Sequence, residues 1–404
     1  MMNWGGKNWR PGAPTNRRQP INQSVAELMK PLGEKSFQGN VWGSVIMNVP
    51  LPDTTPPPVP YVRFVAFGTS DAIQTESPTY CSFDGSSWTA STTTGRNLST
   101  TSFDIQYNDI QSKWITVGND SIIEDSTDGI TFNNNGLTFL SVNKIAQGTS
   151  TPTDYNISVG NGLVYPNLVS SYSDITTNTS YNSLLGGCGS GPTALIFCSF
   201  PSQDMWLAGY AGCTGEAYSY NLGTDPNSDT WSGTSSLNSY VGQVKEFASN
   251  YDSNTKSETL VVAVGIQSPL QSMAAVSNDG LTWTGETSSL YNSFDNLTCV
   301  IWDGSKFIAG GTTNSLVPGP LLATSTDGIT WVVNTGATQG STTIDYITDI
   351  SFDGTTYMAL GQSGFLGTVA LTSTNGFDWT VVTLSLATGV QLLKIDSNPH
   401  PYRR

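Results

Sequence analysis

The chain has 404 residues, of which only 12% are charged, and its 16 basic and 31 acidic residues leave a net charge of −15. A body of this kind excludes general nucleic-acid binding, which needs a basic surface to meet phosphates. The single histidine, His400, excludes histidine-based triads and His-rich metal sites inside the fold.

Residues 1–60 differ from everything after them. They hold six basic and three acidic residues, a net of +3, against ten basic and 28 acidic in the remainder, a net of −18. Trp4, Trp9 and Trp42 lie in a Pro- and Gly-containing stretch with Arg10, Arg17 and Arg18, and the run LPDTTPPPVP closes it at 51–60. A Pro-rich run favours extended polyproline geometry and makes a stiff spacer. Only SVAELMK (24–30) has a helical pattern, with Ser24 as N-cap and Glu27 three residues on. The segment reads as an extended arm, not a domain. Its start, MMNWGGKNWRPG, is polar where a signal peptide needs an apolar run, and nowhere do 18 apolar residues occur together. Synthesis in a cytoplasm without a secretion signal, and no membrane insertion, are expected.

From residue 61 the chain repeats itself. The clearest copies are SFDGSSW (82–88), STDGITF (126–132), SNDGLTW (277–283), STDGITW (325–331) and STNGFDW (373–379). Each follows a hydrophobic strand ending in glycine: RFVAFG, KWITVG, TLVVAVG, KFIAGG and TYMALG. Two degenerate copies fill the middle, DYNISVG leading to SYSDITTNTSY (171–181) and DMWLAG leading to NSDTW (227–231). The closing aromatics are Trp88, Phe132, Tyr181, Trp231, Trp283, Trp331 and Trp379, a mean spacing of about 48 residues.

The turn residues of the five clear copies are Ser82, Asp84, Gly85 and Trp88; Ser126, Asp128, Gly129 and Phe132; Ser277, Asp279, Gly280 and Trp283; Ser325, Asp327, Gly328 and Trp331; and Ser373, Asn375, Gly376 and Trp379. Asp-Gly or Asn-Gly between alternating segments predicts a two-residue type I′ turn with positive φ at both central positions. The Ser hydroxyl and Asp carboxylate are placed to accept turn N–H groups. Each closing aromatic has a face that one sheet alone cannot bury, so a neighbouring repeat must cover it.

A further strand leads several repeats: FDIQYND (103–109), LTCVIWDG (297–304) and ITDISFDG (347–354). Four short strands in about 48 residues is the size of a propeller blade. The expected fold is all-β, a seven-bladed β-propeller of four-stranded blades over residues 61–404, carried behind the arm of residues 1–60. The first repeat lacks its leading strand, whereas VQLLKIDSN (390–398) resembles one and has no repeat of its own. A strand near 390–397 is therefore expected to complete the first blade and close the ring, leaving no open edge.

These hairpins resemble the Asp-box, or BNR, repeats of sialidase-like β-propellers, whose pattern is SxDxGxTW; the spacing here is one residue shorter between Asp and Gly. The resemblance implies architecture more than activity. Sialidases hold the substrate carboxylate with three arginines, and only Arg63 and Arg96 occur between residues 19 and 402. Other glycosidases need two carboxylates facing across a cleft. Asp84, Asp128, Asp279, Asp327, Asp303 and Asp353 read as turn residues, and Glu76, Glu124, Asp125, Glu216, Glu246 and Glu286 form no pattern that sequence pairs. No catalytic residues, metal ligands or cofactor are assigned: DSTDG (125–129) and NSD (227–229) lack calcium-loop spacing, and LLGGCGSG (184–191) lacks the Lys-Ser/Thr of a phosphate loop. Cys81, Cys188, Cys198, Cys213 and Cys299 are dispersed; reduced core thiols are expected, with a disulfide among the middle three left open.

Ser, Thr, Asn and Gly enrichment, few lysines and an arm of opposite charge look like structural proteins of tailed bacteriophages: tail fibre, baseplate or capsid decoration. The resemblance implies a non-enzymatic virion protein. Its arm meets other virion proteins through Trp4, Trp9, Arg10, Arg17, Arg18 and Trp42, and its body is displayed for host attachment. A host surface glycan is the candidate ligand, with Tyr165, Tyr172, Tyr220 and Tyr240 as candidate platforms. The opposite charges also allow the arm of one copy to lie on the body of another, giving a homo-oligomer. The alternatives are a soluble lectin-like or assembly-factor propeller, since some photosystem assembly factors carry similar repeats, and a glycoside-active enzyme.

Overall fold

The computed structural model describes residues 61–69, 79–94, 102–109, 111–118, 123–134, 144–150, 153–161, 166–172, 183–184, 192–201, 203–210, 217–221, 232–234, 236–251, 257–267, 273–286, 290, 294–313, 322–334, 344–363, 367–387 and 389–398. All fall in the second of two units into which the chain divides, Met1–Val59 and Pro60–Arg404. The arm residues Trp4, Trp9, Arg10, Arg17, Arg18 and Trp42, the helical pattern at 24–30, and the side chains of Tyr165, Tyr172, Tyr181, Tyr220 and Trp231 lie outside the described residues.

The described chain is built of short antiparallel strands in successive sets of four. In chain order these are β1 (Phe64–Thr69), β2 (Thr79–Ser82), β3 (Trp88–Ala90) and a short β4 (Thr92–Thr94). Next come β5 (Ser102–Asn108), β6 (Lys113–Gly118), β7 (Ile123–Ser126) and β8 (Thr131–Asn134); β9 (Lys144–Ser150), β10 (Thr153–Asn161), β11 (Pro166–Tyr172) and β12 (Ser183–Leu184); and β13 (Pro192–Phe200), β14 (Gln203–Tyr210), β15 (Ala217–Asn221) and β16 (Ser232–Thr234). They continue with β17 (Val241–Ser249), β18 (Val261–Gln267), β19 (Ala274–Ser277) and β20 (Trp283–Gly285), then β21 (Phe294–Trp302), β22 (Phe307–Thr313), β23 (Leu322–Ser325) and β24 (Val332–Asn334). The last are β25 (Tyr346–Phe352), β26 (Tyr357–Ser363), β27 (Gly367–Ser373), β28 (Thr380–Val382) and β29 (Gln391–Ser397).

Within each set the order is up and down, as the short connections between strands dictate. The first set is completed from the far end of the chain: β29 pairs antiparallel with β1, setting Phe64 opposite Ser397 and Ala66 opposite Ile395. Strand β4 leaves the first set and lies parallel to β8, its Thr92 N–H donating to Ile130 O at 2.8 Å. The sets β17–β20, β21–β24 and β25–β28 are joined through the single pairs Ile266 with Asn296 and Thr312 with Tyr346.

The strands next to the leading ones, β1, β6, β14, β18, β22 and β26, are buried along most of their described length, as strands covered on both faces are. Every residue of Tyr357–Ser363 is buried. The hydrophobic clusters then draw on two consecutive sets at a time. Met205, Leu207 and Phe200 meet Val261, Ala263 and Trp283; Val262 and Val276 meet Phe307 and Trp331; Ile308 and Leu322 meet Leu371 and Trp379. Across the two chain ends, Met358, Leu360 and Ala370 meet Phe64 and Trp88. The leading strands β5, β9, β13, β17, β21 and β25 each pack on the next, and β29 packs on both β25 and β5. The architecture is all-β and propeller-like.

Candidate functional site

Two constructions use the polar residues of this fold: the repeated turn, and a charged cluster where the leading strands meet.

The turn differs from the two-residue type I′ hairpin that Asp-Gly predicts. Ser82 pairs with Trp88, and Ser277 with Trp283, so five residues lie between the strands. Gly85, Gly129, Gly280, Gly328 and Gly376 have φ between +70° and +78°, whereas among the described residues Ser112 is the only non-glycine with positive φ. The Asp therefore stays in an ordinary conformation and works through its side chain. Asp279 Oδ1 accepts the N–H groups of Leu281 and Thr282 at 2.8 and 2.7 Å, and Ser277 Oγ accepts that of Gly280 at 2.8 Å. Trp283 Nε1 then donates to Gly280 O at 3.2 Å. The same lattice recurs at Ser82, Asp84, Gly85 and Trp88, at Ser325, Asp327, Gly328 and Trp331, and at Ser373, Asn375, Gly376 and Trp379. Around Ser126, Asp128 and Gly129 it lacks only the indole bond, because Phe132 has no donor. Backbone N–H groups hold the Asp84 carboxyl below its ordinary range, and against burial they do the same for Asp128, Asp279 and Asp327.

Each turn is also a joint to the preceding set. A Cβ on Gly328 would meet Val262 and Val276 at 2.6 Å; one on Gly376 would meet Ile308 at 2.6 Å, and one on Gly129 would meet Val62 at 2.9 Å. The carbonyls that follow the glycines accept bonds from the chain leaving that set: Thr92 N–H to Ile130 O, Ser236 Oγ to Leu281 O, and Asn334 Nδ2 to Phe377 O. Asp303 and Asp353 sit in turns as expected of WDG and FDG, and each also reaches the following set. Asp303 accepts from Tyr357 OH at 2.6 Å, and Asp353 pairs with Arg63.

The charged cluster was not legible in the sequence. In β5, β25 and β29 the pairing with the second strand skips one residue, followed by Asp104, Asp349 and Lys394 in turn; in β17 and β21 it skips at two places, and the second skip is followed by Glu246 and Cys299. A bulge of this kind re-aims the side chain next to it. The skipped Thr298 bonds Ile347 O of the next leading strand at 2.5 Å, and Thr193 on β13 bonds Val244 O in the same way.

The leading strands line a common cavity of about 90 Å³ that includes Asp104, Lys144, Glu246, Asp349, Lys394 and Asp396. Lys144 Nζ lies 2.9 Å from Glu246 and 3.8 Å from Asp104; Lys394 Nζ lies 3.2 Å from Glu246 and 3.6 Å from Asp349. Their side chains are only 8–17% exposed. The carboxylates also bond backbone between strands. Asp104 accepts Ile145 N–H at 3.1 Å, Asp349 accepts Ile395 N–H at 2.9 Å, and Asp396 accepts Tyr107 N–H at 2.6 Å. Against burial, Lys144 and Lys394 bring Glu246 down to about 2. Burial, with Glu246 nearby, carries Asp349 up to about 6 despite Lys394. Burial would lower Lys394, but Asp349 and Glu246 hold it well above its ordinary value.

Sequence reasoning named Glu246 as one unpaired acid among several and passed over Asp104, Asp349 and Lys394. Position in the strand gave no common signal: Asp104 and Asp349 each precede a single isoleucine, whereas Lys394 follows Leu392 and Leu393. Tyr240, a candidate glycan platform, packs its ring on Gly285 and the cluster around Trp283. Cys81, Cys198 and Cys299 are buried thiols; Cys188 and Cys213 lie outside the described residues. Among the described residues, no three His, Cys, Asp or Glu side chains are grouped to hold a metal, and no helix is long and apolar enough to cross a membrane.

No family model matches the chain, and no curated protein matches it. Among solved structures it is similar to a chain of the "Crystal Structure of Mitotic Checkpoint Complex", with 12% identity and a TM-score of 0.49 over 79% of this chain and 86% of that one.

Proposed function

We propose that this chain is a non-enzymatic structural protein: a seven-bladed propeller displayed on a larger particle and attached to it through residues 1–60. The cyclic packing of β5, β9, β13, β17, β21, β25 and β29 supports the ring, and the pairing of β29 with β1 supports its closure. The Asp-box resemblance of the turns belongs to the same reading.

The observation that carries the non-enzymatic reading is how the acids are used. Asp84, Asp128, Asp279 and Asp327 accept turn amides; Asp303 and Asp353 join neighbouring sets; Asp104, Glu246, Asp349 and Asp396 tie the leading strands together. A cavity of about 90 Å³ is well below the roughly 300 Å³ at which small-molecule pockets begin. Tailed-phage virion proteins are the class that fits this economy best: a polar, sparsely charged body behind a basic arm rich in Trp and Arg, with host glycans as candidate ligands. Attachment is tested by co-purification from source material, comparing the full chain with residues 61–404. Capsid or tail components recovered by the full chain alone support the reading; the same partners, or none, with both chains refute it.

One observation favours a hydrolase: Asp349 raised and Glu246 lowered beside one cavity is the division of labour of an acid and its partner carboxylate. Both are held by lysines in a space too small for a sugar ring. Glycoside cleavage that disappears with Asp349→Asn would establish that reading instead.

A further inference from the structure

The charges around the cavity do not balance. Three carboxylates, Asp104, Glu246 and Asp349, share two ammonium groups, Lys144 and Lys394, and Asp396 adds a fourth carboxylate one step along the same face. Removing charge from water is costly unless it is paired, and an excess of one sign is costlier still. Glu246 holds both lysines at the shorter distances, 2.9 and 3.2 Å, which leaves Asp349 with Lys394 at 3.6 Å and the Ile395 N–H. Asp104 is held no more closely, by Lys144 at 3.8 Å and the Ile145 N–H at 3.1 Å. Asp104 and Asp349 are therefore the two members whose charge is least compensated, and of these Asp349 has both partners on β29. Facing it are Lys394 from β29, Glu246 from β17, Lys144 from β9 and the Cys299 thiol from β21. Both of its contacts with β29, the ion pair and the amide bond, fall on the strand that pairs with β1.

We propose that this cluster is a proton-binding site beside the closing strand: in mild acid Asp349 takes up one proton, which relieves the excess of buried negative charge and stabilises the fold that β29 closes. The sign is the reverse of ordinary acid destabilisation. A carboxyl raised in the folded state to about 6 from 3.8 carries a penalty at neutral pH, and that penalty is relieved as pH falls through 6 toward 4. Glu246, brought down to about 2, stays charged across the same window and keeps both lysines in place.

The test is urea unfolding of the full chain at pH 7.5 and 5.0, with Asp349→Asn beside it. The folding equilibrium of the wild type should rise by about tenfold between the two pH values, the ratio expected for one carboxyl shifted this far. In Asp349→Asn the rise should fall to less than about threefold, which also separates the site from a general easing of the chain's negative charge. A wild type that is flat or weakens toward pH 5.0, or a variant that keeps the whole rise, overturns the proposal. Infrared spectra of the wild type decide the matter if Asp349→Asn does not fold. A buried carboxylic-acid carbonyl band appearing as pH falls through about 6 supports it, and no such band overturns it.

Discussion

The indole Nε1 of Trp331 donates to the carbonyl oxygen of Gly328 at 2.9 Å, closing a turn whose glycine lies against the side chains of the preceding set. The bond and the packing are separable, because Phe132 occupies the corresponding place in another turn and is fully buried there. Trp331→Phe should cost about 1 kcal/mol, the net worth of one hydrogen bond. Trp331→Ala should cost about 3–5 kcal/mol through the cavity it leaves. Urea midpoints at unchanged slope measure both.

Two glycines of nearly equal φ distinguish strain from crowding. Gly328 and Gly367 stand at +70° and +71°, but a Cβ on Gly367 meets nothing within 4 Å, whereas one on Gly328 runs into Val262 and Val276 at 2.6 Å. Gly367→Ala should cost about 1 kcal/mol, the left-handed penalty alone. Gly328→Ala should add about 1–3 kcal/mol of overpacking. Equal costs would mean that the turn is not a joint.

Lys394→Met leaves Glu246 and Asp349 largely buried with one ammonium fewer. The expected loss is about 3–5 kcal/mol, the cost of an uncompensated buried charge. Lys113→Met removes the more exposed pair with Asp125, at 2.8 Å, and should cost under about 1 kcal/mol. Chemical denaturation at pH 7 compares the two.

All-β architecture was legible because a five-fold SxxGxxW/F pattern fixes where hairpins fall, and Val, Ile, Phe and Trp fill the segments between. The turn's geometry was not: Asp-Gly suggests type I′, and only the Ser and Asp side chains accepting amides across five residues decide otherwise. The cluster was hidden for a different reason. Asp104, Lys144, Glu246, Asp349 and Lys394 come from five separate repeats, and a skipped pairing, which no residue type announces, aims four of them: Asp104, Glu246, Asp349 and Lys394. Periodicity reports which residues share a strand face, not which strands meet.

Below the window in which Asp349 titrates, the dependence on pH changes sign. Glu246 lies at about 2 against an ordinary 4.5, so its stabilisation is complete above 4.5 and is lost as pH falls toward 2. The turn aspartates, also lowered, act in the same direction. Glu246 alone corresponds to about 3 kcal/mol across that range. Glu246→Gln should show a visibly shallower loss of stability from pH 4.5 to 2.5 when unfolding is followed by tryptophan fluorescence.

The central claim is that the chain's far end completes its first sheet, and it is tested most directly by thermal unfolding of a chain ending at Thr388 against the full chain. Without β29, the β1 edge and its pairs with Gln391–Ser397 are lost, together with Lys394, Ile395 and Asp396. The account predicts a melting temperature lower by 10 °C or more, or no cooperative transition, on the basis of roughly 4 °C or less per kcal/mol at this size. A shortened chain that melts with the full one would contradict it.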